Sequence, residues 1–142
     1  MKYKPQTKEE LKELIKDESI QLGDIDTTHI TDMMELFRNS KRTDFSGIEK
    51  WNTSKVENMA LMFEGATNFN QPLSSWNTSN VENMSNMFQG AKSFNQDISS
   101  WIIKECCYTD FMFENCLISE ENKPQALQEN KEENNSTKTR KM

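Results

Sequence analysis

Trp51, Trp76 and Trp101 stand 25 residues apart, and the segments between them repeat one another. Residues 51–75 read WNTSKVENMALMFEGATNFNQPLSS and residues 76–100 read WNTSNVENMSNMFQGAKSFNQDISS, agreeing at 17 of 25 positions without a gap. Phe63, Phe88 and Phe113 keep the same spacing, as do Met62, Met87 and Met112. Upstream, residues 25–50 form a divergent copy in which Ile30, Met33, Leu36 and Phe37 occupy the positions of Val56, Met59, Met62 and Phe63. Downstream, residues 101–118 form a worn last copy, with Cys106 at the position of Val81 and Cys116 at that of Ala91. A unit this short cannot bury an apolar face alone, so neighbouring copies must stack to make a core. The expected organisation is an N-terminal cap over 1–24 and four repeats over 25–50, 51–75, 76–100 and 101–118. A C-terminal cap remnant over 119–127 and a disordered tail over 128–142 complete it.

Local signals give each copy an expected shape. Ser54-Lys55-Val56-Glu57 and Ser79-Asn80-Val81-Glu82 fit a Ser-x-x-Glu capping box. Val81, Met84, Met87 and Phe88 follow on one helical face, and Gly65 and Gly90 sit where a helix stop is wanted. This predicts helices over 55–64 and 80–89, then short strands near 73–76 and 98–101. Asn70 over Asn95 and Gln71 over Gln96 are placed to form polar ladders between copies. In the cap, Thr7-Lys8-Glu9-Glu10 predicts a helix over 8–16, with a strand at about 19–22 ending at Gly23. The fold class expected is an α/β solenoid of about four helix–strand turns.

The methionines follow the same logic. Met33, Met59, Met62, Met84, Met87 and Met112 fall on the repeat's apolar slots, in register with Val and Phe, which favours core filling over metal or haem-sulfur chemistry.

Composition narrows the function classes. Hydrophobic residues make up 34% of the chain and net charge is −6, which suits a thin core and argues against electrostatic binding to nucleic acid. No apolar stretch approaches membrane-spanning length and no leader-like segment follows Met1, so the expected location is cytoplasmic and no membrane insertion is expected. Cys106, Cys107 and Cys116 are odd in number and clustered, unlike a disulfide framework.

Catalytic and metal chemistry finds no pattern. His29, the sole histidine, aligns with the solvent-facing Lys55 and Asn80, and Asp24, Asp26 and Asp32 lack calcium-loop spacing. Cys107 aligns with Glu82, and Glu105 and Asp110 offset the nearby Lys104, so no electropositive site activates the thiol. Asn52-Thr53-Ser54, Asn77-Thr78-Ser79 and Asn83-Met84-Ser85 match the N-glycosylation sequon, but helix capping explains the first two and a helix interior holds the third. No phosphate loop or zinc spacing is present, so no cofactor, no metal and no enzyme activity are expected.

The repeat resembles that of the BspA-like bacterial surface proteins, a divergent leucine-rich-repeat family whose repeat domain has no assigned function. Trp51, Val56, Met59, Met62, Phe63, Ala66, Phe69, Asn70 and Gln71 carry the match, as do their counterparts Trp76, Val81, Met84, Met87, Phe88, Ala91, Phe94, Asn95 and Gln96. The opening segment also looks like the cap that precedes such arrays. The resemblance implies a right-handed leucine-rich-repeat-like stack, and adhesion or protein contact at a cell surface or in secreted form, in contrast to the cytoplasmic expectation.

The expected function is therefore a non-catalytic module for protein–protein interaction. Recognition is expected at surface positions where the clean copies differ: Lys55 and Asn80, Leu61 and Asn86, Glu64 and Gln89, Thr67 and Lys92. Leu61 is the apolar member of that set. The alternatives are a structural segment that associates end to end through its worn last turn, and a small enzyme with a site hidden in a degenerate copy.

Overall fold

The computed structural model describes residues 2–129. Among them there is one α-helix, α1 (Lys8–Lys16), and four single-turn 310 helices at Leu22–Asp24, Ile48–Lys50, Glu120–Asn122 and Gln125–Leu127. The remaining order is a set of isolated parallel bridges, Tyr3 with Ile25 and then Asp32, Asn58, Asn83 and Tyr108 in sequence. The right-handed, leucine-rich-repeat-like α/β solenoid of helix–strand turns is thereby overturned. The four copies are layers of consecutive tight turns, with neither α-helix nor sheet in them and a single 310 turn, Ile48–Lys50, in the first.

The expected helices fail at their midpoints. Leu61 and Asn86 both have φ 60°, in the left-handed region that an α-helix excludes. Each is the third residue of a turn, closed by the Met62 N–H on the Met59 carbonyl and the Met87 N–H on the Met84 carbonyl. A positive φ at that position is what a type II turn requires. A second turn of the same kind follows, with Gly65 (φ 67°) or Gly90 (φ 71°) in the third place. A β-carbon at Gly65 would also meet the Asn39 side-chain oxygen of the preceding layer, which would have to turn aside. The left-handed pair recurs as Glu35 and Asn39 in the first copy and as Phe111 and Asn115 in the last.

These turns aim every second N–H at the next layer. Met59, Leu61, Phe63 and Gly65 donate to the carbonyls of Asn83, Ser85, Met87 and Gln89 at 2.8, 3.0, 2.8 and 2.8 Å. Met33, Glu35, Phe37 and Asn39 donate likewise to Asn58, Ala60, Met62 and Glu64, and Met84, Asn86, Phe88 and Gly90 to Tyr108, Asp110, Met112 and Glu114. Backbone polar groups inside a fold must be paired, and here the pairing runs between copies rather than along a helix.

The Asn-Thr-Ser triplet is not a helix cap either. Ser54 donates its backbone N–H and its hydroxyl to Asn52 Oδ1 at 2.9 and 2.7 Å, and Ser79 does the same to Asn77. This is the local turn that an Asn side chain makes with the residue two positions on. The threonine between them is buried and forms another rung. Thr27, Thr53 and Thr78 donate their hydroxyls to the carbonyls of Asn52, Asn77 and Ile102 in the next layer at 2.9, 2.9 and 2.8 Å. The expected strands near 73–76 and 98–101 are also turns, closed by Trp76 on Leu73 and Trp101 on Ile98. Each indole then reaches back a full layer: Trp51, Trp76 and Trp101 donate Nε1–H to the carbonyls of Leu22, Ile48 and Leu73 at 2.8, 3.1 and 2.9 Å.

Apolar side chains fill the space between the rungs. Phe37, Phe63, Phe88 and Phe113 stack in one column with ring centroids 5.6, 5.5 and 5.8 Å apart. Phe69 and Phe94 run beside them 5.5 Å apart, and Trp76 and Trp101 stack at 6.3 Å. Each such pair adds about 0.5–1.5 kcal/mol beyond its burial. Outside the core, Asn70 Oδ1 accepts the Asn95 N–H and Asn95 Oδ1 accepts the Ser119 N–H, so the asparagine ladder forms. Gln96 bonds Asn70 rather than Gln71.

The cap covers the apolar side of the first layer, whose ladder carbonyls on Asp32, Met34, Leu36 and Arg38 accept no hydrogen bond among the described residues. Thr7 caps α1 by accepting the Glu10 N–H, while Glu10 itself accepts from Gln6 rather than from Thr7. Leu11 and Ile15 are buried in the common core. In place of the strand expected near 19–22 the chain bends and forms the Leu22–Asp24 310 helix. Arg42, buried in the first copy, ties the two together. Its Nη1 and Nη2 donate to the Ile15 and Ile20 carbonyls at 3.0 and 2.7 Å, and its Nε donates to the Asp44 carbonyl at 2.8 Å. Of the tail expected to be disordered over 128–142, residues 128–129 bond back to the 120–123 segment, and residues 130–142 lie outside the described residues.

Candidate partner-binding surface

The layering puts equivalent residues in columns, which decides what the eight recognition candidates can do. Leu61 and Asn86 share one column with Glu35 and Phe111, all at φ between 57° and 64°. Glu64 and Gln89 follow Arg38. Glu64 accepts from Arg38 Nε at 2.9 Å, and Gln89 accepts from the Asn86 side-chain amide. Asn80 is also engaged, donating to the Ser54 carbonyl at 2.7 Å. Much of the disagreement between copies therefore serves contacts within and between layers. Lys55, Thr67 and Lys92 are exposed and make no side-chain hydrogen bond or ion pair among the described residues.

The columns change character in the last layer. The exposed large apolar residues among those described are Ile102, Tyr108, Phe111 and Leu117, at 64%, 64%, 66% and 77% exposure. All four lie in the worn copy. Each replaces a polar residue of the copy before it: Asn77, Asn83, Asn86 and Lys92 respectively. Two of them extend candidate columns, Phe111 the Leu61–Asn86 column and Leu117 the Thr67–Lys92 column. The substitution pattern was readable in the sequence; the degeneracy of the copy hid it, because worn positions read as noise rather than as a change of sign.

Backbone chemistry also changes there. In the first three layers the four ladder N–H groups have acceptors in the next layer. Their counterparts on Thr109, Phe111, Phe113 and Asn115 have none among the described residues. The last layer thus ends in a row of four donors with no acceptors between them. The segment that follows bonds the second half of the third layer, where Asn122 accepts the Ile98 N–H, and reaches the last layer where Lys123 Nζ lies 5.5 Å from the Phe113 ring centroid. That cation–π contact closes the phenyl column and leaves the donor row open.

Charge and thiol chemistry at this end is modest. Lys104 pairs with Glu82 at 3.3 Å. Burial pushes the Cys107 and Cys116 thiols up, away from thiolate character. Cys116 Sγ donates to the Phe94 carbonyl at 3.6 Å. His29 is exposed in the first layer. No group of three or more His, Cys, Asp or Glu side chains suited to a metal ion occurs among the described residues, and none of their helices is long and apolar enough to cross a membrane.

Residues 8–126 match the family described as "Mycoplasma protein of unknown function, DUF285". The chain belongs to this family. The match opens on the first residue of α1 and closes inside the Gln125–Leu127 310 helix, so the matched stretch of this chain takes in the helix, the four layers and the segment that follows them. No curated protein and no solved structure matches the chain.

Proposed function

We propose that this DUF285 chain is a non-catalytic protein-binding module whose contact surface centres on its last layer. The observation that carries this reading is the clustering of Ile102, Tyr108, Phe111 and Leu117, the exposed large apolar residues among those described, in one worn copy. Scattered exposed leucines need no explanation, but four large apolar side chains exposed in one layer, each where the copy before it has a polar residue, are exposure of the kind that partners cover. The lateral positions Lys55, Thr67 and Lys92 then form a polar flank rather than the centre. Site-specific photo-crosslinkers at 102, 111 and 117, compared with 55 and 67, test this in the native cell. A protein adduct specific to the first group is expected; adducts from neither group would refute the reading.

The resemblance to BspA-like surface proteins supports an adhesion-type contact. Fractionation of the native protein separates that from a cytoplasmic binder. A second reading, a structural segment of a larger assembly, is favoured by the row of free donors. Sedimentation over a wide concentration range tests it, and a single monomeric species throughout would count against it.

A further inference from the structure

We infer that the groove between α1 and the first layer takes an extended acidic segment of a partner protein, held by its backbone as well as by its charge. The site lies at the opposite end of the stack from the last-layer surface, and stands or falls apart from it. Two independent observations coincide there. The first is backbone chemistry. In the later layers the carbonyls of Met62 and Glu64, and of Met87 and Gln89, point at the layer before and accept its N–H groups. Their first-layer counterparts on Leu36 and Arg38 have no layer before them and accept no hydrogen bond among the described residues. Both residues line a cavity of about 380 Å3 that opens between α1 and residues 36–42. Carbonyls at the edge of a ladder are matched by a segment that presents N–H groups at alternate residues.

The second is charge. In a chain of net charge −6, five cations line this cavity against one acid, Glu18. Lys12 and Lys41 make no ion pair among the described residues. Lys16 and Arg38 pair with Glu13 and Glu35. Arg42 is buried with its guanidinium on three carbonyls and on no carboxylate. A concave site of one sign concentrates opposite charge. A phosphate group would answer the lysines and leave the carbonyls unmet, so the ligand must bring donors too. In an extended peptide alternate N–H groups point to one edge and alternate side chains share one face. A run with Asp or Glu at every second position therefore serves the carbonyls and the lysines together.

The test titrates the isotopically labelled full chain with an end-blocked six-residue peptide of alternating alanine and glutamate, followed by NMR. Saturable shifts at residues 12, 16, 38 and 41 are expected. The Lys12→Glu/Lys41→Glu variant should weaken binding about tenfold or more. Lys55→Glu/Lys92→Glu, the same charge change on the flank, should alter it by less than about twofold. The peptide is also made with N-methyl groups on alternate residues, in either register. This keeps its charge and removes the donors of one edge. The register that faces the carbonyls should bind about tenfold more weakly, and the other should bind as before. No saturable binding at millimolar peptide overturns the inference, as does equal weakening in the two charge variants. Undiminished binding by both methylated peptides would leave charge alone and overturn it too. Shifts at 12 and 41 that grow with protein concentration, without peptide, would give the groove to a second copy. Contacts from residue 41 to residues 130–142 in the dilute chain would give it to the chain's own tail. Either result overturns the inference, and neither touches the last-layer surface.

Discussion

The two ends of the stack solve the same problem in opposite ways. A layered fold exposes a raw face at each end, and each face must be covered or left reactive. At the N-terminal end a capped amphipathic helix buries Leu11 and Ile15, and Arg42 bonds the helix and the following bend to the first copy. At the C-terminal end the following segment bonds Asn95 and Ile98 of the third layer and reaches the last layer through Lys123 over Phe113, while among the described residues four donors find no acceptor and four large apolar side chains stay exposed. The difference teaches that the repeat itself does not specify an end. What closes an end is sequence that departs from the repeat, and the last copy departs toward exposure.

Truncations at the two ends should differ most. Leu11→Ala is expected to cost about 2–5 kcal/mol, the range for a buried large-to-small change, whereas Leu117→Ala should stay within about 0.5 kcal/mol. Denaturant unfolding of both variants checks this, and equal losses would break the comparison. Arg42→Ala comes next. It removes a buried cation and strands three carbonyls, for a loss of about 2 kcal/mol or more, while Lys123→Ala, which loses the contact with the Phe113 ring and an ion pair with Glu120, should cost about 1 kcal/mol or less. Trp76→Phe removes the indole donor to Ile48 together with part of the ring that stacks on Trp101, and should cost about 1–2 kcal/mol by the same measurement. Leu61→Gly has the smallest effect expected and the opposite sign. Relief of the left-handed leucine should leave stability unchanged or raise it by up to about 1 kcal/mol, which no helix at 55–64 would allow.

Acid should act on the capped end first. Asp17, Asp26 and Asp44 each accept a hydroxyl and an N–H from the residue two positions on, and these bonds hold their carboxyls below the ordinary value, as they do for Asp97 alone in the later layers. A depressed carboxyl stabilises the fold above its unfolded pKa and loses that contribution as pH falls through the folded one. Exchange protection around the cap should therefore decline before that of the central layers as pH drops below about 4. Asp26→Asn should blunt the decline, since Asn52 and Asn77 make the same bonds without titrating.

Sequence pattern revealed the period, the core and the helix of the cap, because those depend on spacing alone. Trp, Phe and Met at fixed intervals must share an environment whatever the backbone does between them. The backbone was not legible for the same reason. Apolar residues at 81, 84, 87 and 88 fit a helical face, but they also fit successive turns that return every few residues to one side. Leu61 in a left-handed position gives no warning, since leucine is a good helix former. Ser54 and Glu57 satisfy the spacing of a capping box, yet Asn52 captures the serine first. The candidate surface positions were not separable in the sequence: Glu64, Gln89 and Asn80 bond neighbouring residues while Lys55, Thr67 and Lys92 do not, and disagreement between copies looks the same for both.

The ladder runs between copies and, among the described residues, stops at the last one. Residue-resolved amide exchange of the dilute chain tests it most directly. The N–H groups of Met59, Leu61, Phe63 and Gly65, and of Met84, Asn86, Phe88 and Gly90, should be protected, and those of Thr109, Phe111, Phe113 and Asn115 should exchange freely. Consecutive protection through 57–64 and 82–89 with the pattern of a helix, or equal protection in all four layers, would contradict it.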